Sequence, residues 1–99
     1  MPENQNIEWK SKWRDDYLEW ICGFANAQGG TIYIGIDDDG HVTGLTNTKK
    51  LLEDIPNKVR NAMGIVVDVD LLSEDGNEYI KITIPPYPVA VSCKGVYYY

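Results

Sequence analysis

At 99 residues the chain is long enough for one compact domain with a modest core, and its 43% hydrophobic and 24% charged content excludes a disordered or low-complexity protein. A formal net charge of −6 excludes a general phosphate-binding surface, so any contact with nucleic acid has to rest on a local patch. No apolar run approaches the roughly 20 residues of a membrane span, and the polar start MPENQNIEWK lacks the apolar centre of a signal peptide, so a soluble, cytoplasmic protein without a membrane partner is expected.

NIEWK, Asn6 to Lys10, reads as a short strand with Ile7 and Trp9 on one face and Glu8 and Lys10 on the other, because strand side chains alternate. From Lys12 to Gln28, the residues Trp13, Tyr17, Trp20, Ile21 and Phe24 recur at three- and four-residue spacing, the pattern of an amphipathic helix. Gly29 and Gly30 stop it, one of them in the left-handed conformation that only glycine adopts cheaply. GTIYIGI is a strand, β-branched and aromatic throughout. Strict alternation puts Ile32, Ile34 and Ile36 on one face and Thr31, Tyr33, Gly35 and Asp37 on the other. DDDG, Asp37 to Gly40, is a hairpin turn with Asp39-Gly40 as a two-residue loop, and HVTGL returns as the partner strand.

TNTKKLLEDIPNKVRNAMG is the second helix, capped by Thr46, Asn47 or Thr48, with Leu51, Leu52, Ile55, Val59 and Met63 as its apolar stripe. Pro56 predicts a kink or a division into two short helices, and Gly64 ends the element. IVVDVDLL and EYIKITI alternate on either side of SEDGN, so they form an antiparallel hairpin with Asp68, Asp70 and Lys81 outward. PPYP breaks the chain, and VAVSC, the turn KG and VYYY make one more hairpin. The order β-α-β-β-α-β-β-β-β is an α+β fold, a mixed or antiparallel sheet carrying two main helices. Residues 1–99 read as a single domain, and three tyrosines in mid-strand point to a fragment of a longer parent with further domains.

The glycine pair invites comparison with phosphate cradles. Those run from strand to glycine loop to helix N-terminus, whereas this chain runs from helix to Gly-Gly to strand, and a helix C-terminus repels phosphate. Neither a P-loop pattern nor GxGxxG is present, so Gly29, Gly30, Gly35 and Gly40 are read as structural. Cys22 and Cys93 lie far apart without a CxxC and read as small buried apolar residues. His41 has no second histidine or neighbouring serine with which to form a catalytic triad.

Three stretches together carry a resemblance: Glu3-x4-Glu8-Trp9-Lys10, FANAQGGTIYIGIDDDGHVTGL, and PPYPVAVSCKGVYYY. They resemble the Schlafen Alba-like domain, a family catalogued as a candidate DNA-binding domain and formerly grouped with divergent AAA proteins. The family pattern is an E-F/W-K strand, a helix ending in A-F-A-N-x-x-G-G, a strand ending in G-I/V-D, a hairpin, V-x-G and a late YYxR strand. The match covers nearly the whole chain and departs from the pattern at Tyr99, where the family continues with arginine and a polar tail. The resemblance implies an N-terminal, nucleic-acid-binding domain of a bacterial transcriptional regulator, with DNA or RNA as partner and no cofactor needed for binding. Animal Schlafen proteins are similar too, and there the fold supports metal-dependent RNA cleavage. On that alternative Glu3, Glu8 and Asp37 match the three metal-holding carboxylates, Mg²⁺ or Mn²⁺ is the cofactor, and Lys10 joins them as a catalytic residue.

The residues themselves leave the choice open. Carboxylate oxygens suit a hard divalent ion that activates water, Lys10 could meet negative charge developing on a phosphodiester, and Gly35 beside Asp37 would leave room for a backbone. Equally, Glu8 and Lys10 read as an exposed pair of little consequence and Asp37 to Asp39 as ordinary turn chemistry. Lys10, Lys12 and Arg14 cluster before the first helix, and Lys49 and Lys50, with Lys58 and Arg60, mark the second. They offer phosphate contacts, and Tyr97 to Tyr99 a base-stacking platform, against the simpler reading of solvated helix faces and core tyrosines. A third reading is an interaction or oligomerisation module, with a homodimer through the C-terminal strand GVYYY, which carries no charged or proline guard.

Overall fold

The computed structural model describes residues 6–99. A four-stranded mixed sheet has the order β1-β2-β4-β3. The first two strands, β1 (Ile7–Lys10) and β2 (Gly30–Ile34), are parallel, and the chain between them forms a 3-10 turn at Asp15–Tyr17 and helix α1 (Leu18–Ala25). Parallel neighbours require a crossover of this kind. Helix α2 (Thr48–Met63) leads to β3 (Asp68–Glu74), which pairs antiparallel with β4 (Asn77–Ile84), and β4 pairs antiparallel with β2. A separate ladder joins β5 (Ser92–Cys93) to β6 (Val96–Tyr97). The architecture is the expected α+β one, a mixed sheet with two helices. Among the described residues, no helix is long and apolar enough to cross a membrane.

The register explains the core. Ile32 lies opposite Ile82, and Ile34 opposite Ile80, so these isoleucines share one sheet face with Ile84. Both helices pack on that face, through Leu18, Ile21 and Phe24 of α1 and Leu51, Ile55 and Val59 of α2. Each such side chain taken out of water contributes roughly 1.5–3 kcal/mol. The other face carries Trp9, Tyr33 and Ile36, with Ile7, Val42, Leu72 and Tyr79 against them. Lys81 pairs with both Tyr33 and Asp70 in the ladders, so Lys81 and Asp70 lie on this second face, away from the helices.

Several expectations are corrected. The first helix does not start at Lys12: Tyr17 N–H donates to the Arg14 carbonyl, and the Trp13 indole donates to Asp15 at 2.8 Å, so these local bonds hold the approach in a tighter turn. Trp20, placed by spacing in the apolar stripe, is 46% exposed, and Leu18 and Cys22 are buried instead. Ile36 leaves the face of Ile32 and Ile34 for that of Trp9. The cause is a bulge: Gly35 and Ile36 N–H both donate to the Lys10 carbonyl, and Gly35 has φ +105°. The room foreseen at Gly35 is filled by the protein itself, since a Cβ there would lie 2.9 Å from Tyr79 Cβ.

The acidic hairpin uses three loop residues rather than two. Gly40 N–H donates to the Asp37 carbonyl, Gly40 is left-handed, and Ile36 and Val42 form one bridge in place of a ladder. Helix α2 runs unbroken through Pro56. Proline there removes one backbone bond, but buried Leu51, Ile55 and Val59 straddle it and hold both halves on the sheet. The C-terminal strand stops at Tyr97, because the Tyr98 carbonyl accepts a bond from the Asn26 side chain.

Candidate nucleic-acid interface

β1 is an outer strand of the described sheet, and its register sets the site. Glu8 pairs with Ile32, and Lys10 with Ile34, so both side chains lie on the helix-covered face at its rim. The Lys10 ammonium lies 3.9 Å from the Glu8 carboxylate and 5.3 Å from the ring centroids of both Tyr17 and Trp20. A cation at that distance is attracted by the ring quadrupoles, which holds the flexible lysine against α1. Lys12 and Arg14 follow directly, both exposed, Arg14 in an exposed pair with Asp16 at 3.1 Å. The result is a short basic run beside an exposed tryptophan on an otherwise acidic protein.

The other basic residues are placed elsewhere or already matched. Lys49 and Lys50 are exposed in the first turn of α2, which carries no acidic residue. Arg60 donates to Asn57. Lys58 donates to both Asp15 oxygens at 2.8 Å, and this contact, with the Trp13 indole bond, holds the Asp15 carboxyl below its usual range. The depressed value means that this contribution to stability is present above the ordinary Asp pKa and fades as pH falls through the folded one, weakly for so exposed a pair.

Of the three carboxylates, Glu3 lies outside the described residues. Asp37 is a turn-former: its Oδ1 accepts from Asp39 N–H at 3.0 Å and His41 N–H at 2.9 Å. Among the described residues, Asp37, Asp39 and His41 are the one group of three ligating side chains whose ligand atoms lie within 4.8 Å of one another. Gly29, left-handed at φ +81°, and Gly30, packed under Phe24, close α1 onto β2 as the glycine pair predicts.

One residue that spacing did not single out organises the C-terminal segment. The Asn26 amide donates to the carbonyls of Val91 and Tyr98, both at 2.7 Å, and its oxygen accepts from Val91 N–H at 2.6 Å. The only signal in the sequence was its place in the FAN stretch. Cys22 also bonds the Val91 carbonyl, and burial raises the Cys93 thiol above its usual pKa, which suits the structural role of both cysteines.

The model of one family, Schlafen, AlbA_2, matches residues 3–99. The chain belongs to this family. No curated protein matches it. Among solved structures, a protein of Corynebacterium diphtheriae is 16% identical with a TM-score of 0.73, over 95% of this chain and 20% of its own. The N-terminal domain of a RecG-related protein from Nitrosomonas europaea, named for an ATP-dependent DNA helicase, is 20% identical with a TM-score of 0.68, over 87% of this chain and 66% of its own. The chain thus spans a fifth of the Corynebacterium protein, and the likeness to both concerns the fold. Within this AlbA_2 domain, E-W-K is the rim strand that carries Lys10, and F-A-N-x-x-G-G is the helix end that holds the C-terminal segment.

Proposed function

We propose that this AlbA_2 domain binds nucleic acid, as a module of a bacterial transcriptional regulator. The observation that carries the reading is family membership across residues 3–99. The fold shared with a domain of a protein named for a DNA helicase supports it. The rim of β1 supplies the contacts: Lys10, Lys12 and Arg14 meet phosphates, with Lys49 and Lys50 as further candidates. Because the net charge is −6, binding depends on this local patch and weakens steeply with salt. Fluorescence anisotropy with labelled DNA and RNA should show it at low ionic strength. Lys12→Glu should weaken binding to all sequences alike and lower the salt slope by about 1 or more. Absence of binding at low salt overturns the reading.

A second reading, a metal-dependent nuclease, is favoured by one observation. The Glu8 side chain is only 19% exposed, an uncommon setting for a carboxylate with a purely solvated role. The donors are carboxylate oxygens, which fit Mg²⁺ or Mn²⁺. Glu8 and Asp37 would hold the ion, through oxygens beyond the one that caps the Asp37 turn, and the ion would supply an activated water. Lys10 would meet the charge on the phosphodiester. Cleavage of RNA that requires Mn²⁺ and is lost in Glu8→Gln, with an unchanged thermal melt, is the expected result; equal cleavage by the variant removes the reading.

A further inference from the structure

An open groove of about 410 Å³ runs between α1 and the C-terminal residues, with Trp20, Phe24, Tyr98 and Tyr99 as its aromatic lining, Glu19 in its wall and Gly23 on its floor. Trp20 is 46% exposed, so its ring is offered to solvent rather than spent on the core. The Trp20 and Phe24 centroids are 6.4 Å apart with the rings tilted at 42°. The volume falls within the range of pockets that take one small planar ligand.

Charge is arranged around the groove with a polarity. Lys10 contacts the Trp20 ring from the β1 rim, where Lys12 and Arg14 follow. Glu19, by contrast, lines the groove, and burial, followed by the nearby Glu19 carboxylate, raises the Tyr98 phenol above its usual pKa. A phosphate would therefore be repelled from the groove and attracted to the rim. A nucleobase suits the interior: its face stacks on aromatic rings, and its amino or imino edge donates to a carboxylate.

We infer that this groove receives an unpaired base, with the phosphates of the same strand along the Lys10–Arg14 rim, so that the nucleic acid bound is single-stranded. The inference rests on the nucleic-acid-binding reading above. A duplex keeps its bases stacked on one another and offers this groove no free face, whereas each unpaired base has one.

The test compares four probes against the protein by anisotropy at one low salt concentration: a mixed-sequence single strand of DNA, the corresponding RNA, the DNA annealed to its complement, and an abasic strand of equal length. One of the two single strands should bind at least about tenfold more tightly than both the duplex and the abasic strand, the loss expected when one stacking contact is removed. Trp20→Ala should cut affinity for that single strand by a clearly larger factor than for the abasic strand, where only the packing of Lys10 against the ring is lost. Trp20 is exposed, so the fold should persist, as checked by circular dichroism. Equal binding of abasic and base-bearing strands, or preference for duplex, overturns this inference and leaves the wider reading standing. Failure of every probe to bind overturns both. A concentration-dependent gain in mass that Trp20→Ala abolishes, with no effect of the single strand, assigns the groove to a second copy of the chain and overturns it as well.

Discussion

Asn26→Ala is expected to destabilise the protein by about 1.5–4.5 kcal/mol, the sum of three hydrogen bonds at the usual net value of each. The bonds reach Val91, 65 residues away, and Tyr98, 72 residues away, so their loss loosens both ends of the β5–β6 hairpin from α1. Val91 is itself buried, and its backbone groups would be left without the amide that matches both of them. Urea denaturation measures the energy, and hydrogen exchange locates it, with protection lost first at the Val91 amide. Asn26→Asp keeps the acceptor for Val91 N–H but turns an anionic oxygen toward two carbonyls, so it should be at least as damaging. If both variants unfold within about 0.5 kcal/mol of the parent, the clamp is unimportant. Since Asn26 fixes Tyr98, the same variants should weaken whatever binds between α1 and the C-terminal tyrosines.

Gly29→Ala should cost about 2–6 kcal/mol, combining a left-handed alanine with a forced shift of its surroundings. Its φ is +81°, and an added Cβ would lie 2.6 Å from the Ile84 carbonyl oxygen and 3.0 Å from Pro86 Cδ. Neither neighbour yields easily, because Ile84 belongs to β4 and Pro86 is held in the segment that follows. Gly64→Ala is the control. It has nearly the same conformation, φ +72°, with nothing within 4 Å of the added carbon, so only the conformational cost remains. Thermal melts of the two variants separate backbone preference from close packing. Equal losses would show that the tight fit of α1 against β4 is not what requires glycine at position 29.

The alternation of GTIYI and EYIKITI, the stripe Leu51, Ile55 and Val59, and the stop at Gly29 were all legible in the sequence, because each depends on neighbours a few residues away and on the geometry of one element. The hairpin turn within SEDGN belongs with them, and the structure narrows it to Asp75-Gly76, both with positive φ as a two-residue loop demands. Family membership was legible for a related reason, since the resemblance lies in contiguous stretches around those same turns and helix ends. Much of the candidate site was not. The bulge at Gly35 depends on the Lys10 carbonyl, a strand away, and it moves Ile36 to the opposite face. Trp20 has the spacing of a core residue, but the short α1 has room on the sheet for only part of its stripe, and burial went to Leu18 and Cys22. Lys10 gained its aromatic partners, and Lys58 its carboxylate, only when β1, α1 and α2 were brought together. Periodicity states which side of an element is apolar; which charges meet, and which aromatic rings remain exposed, follows from contacts between elements distant in the chain, and only the tertiary structure decides those.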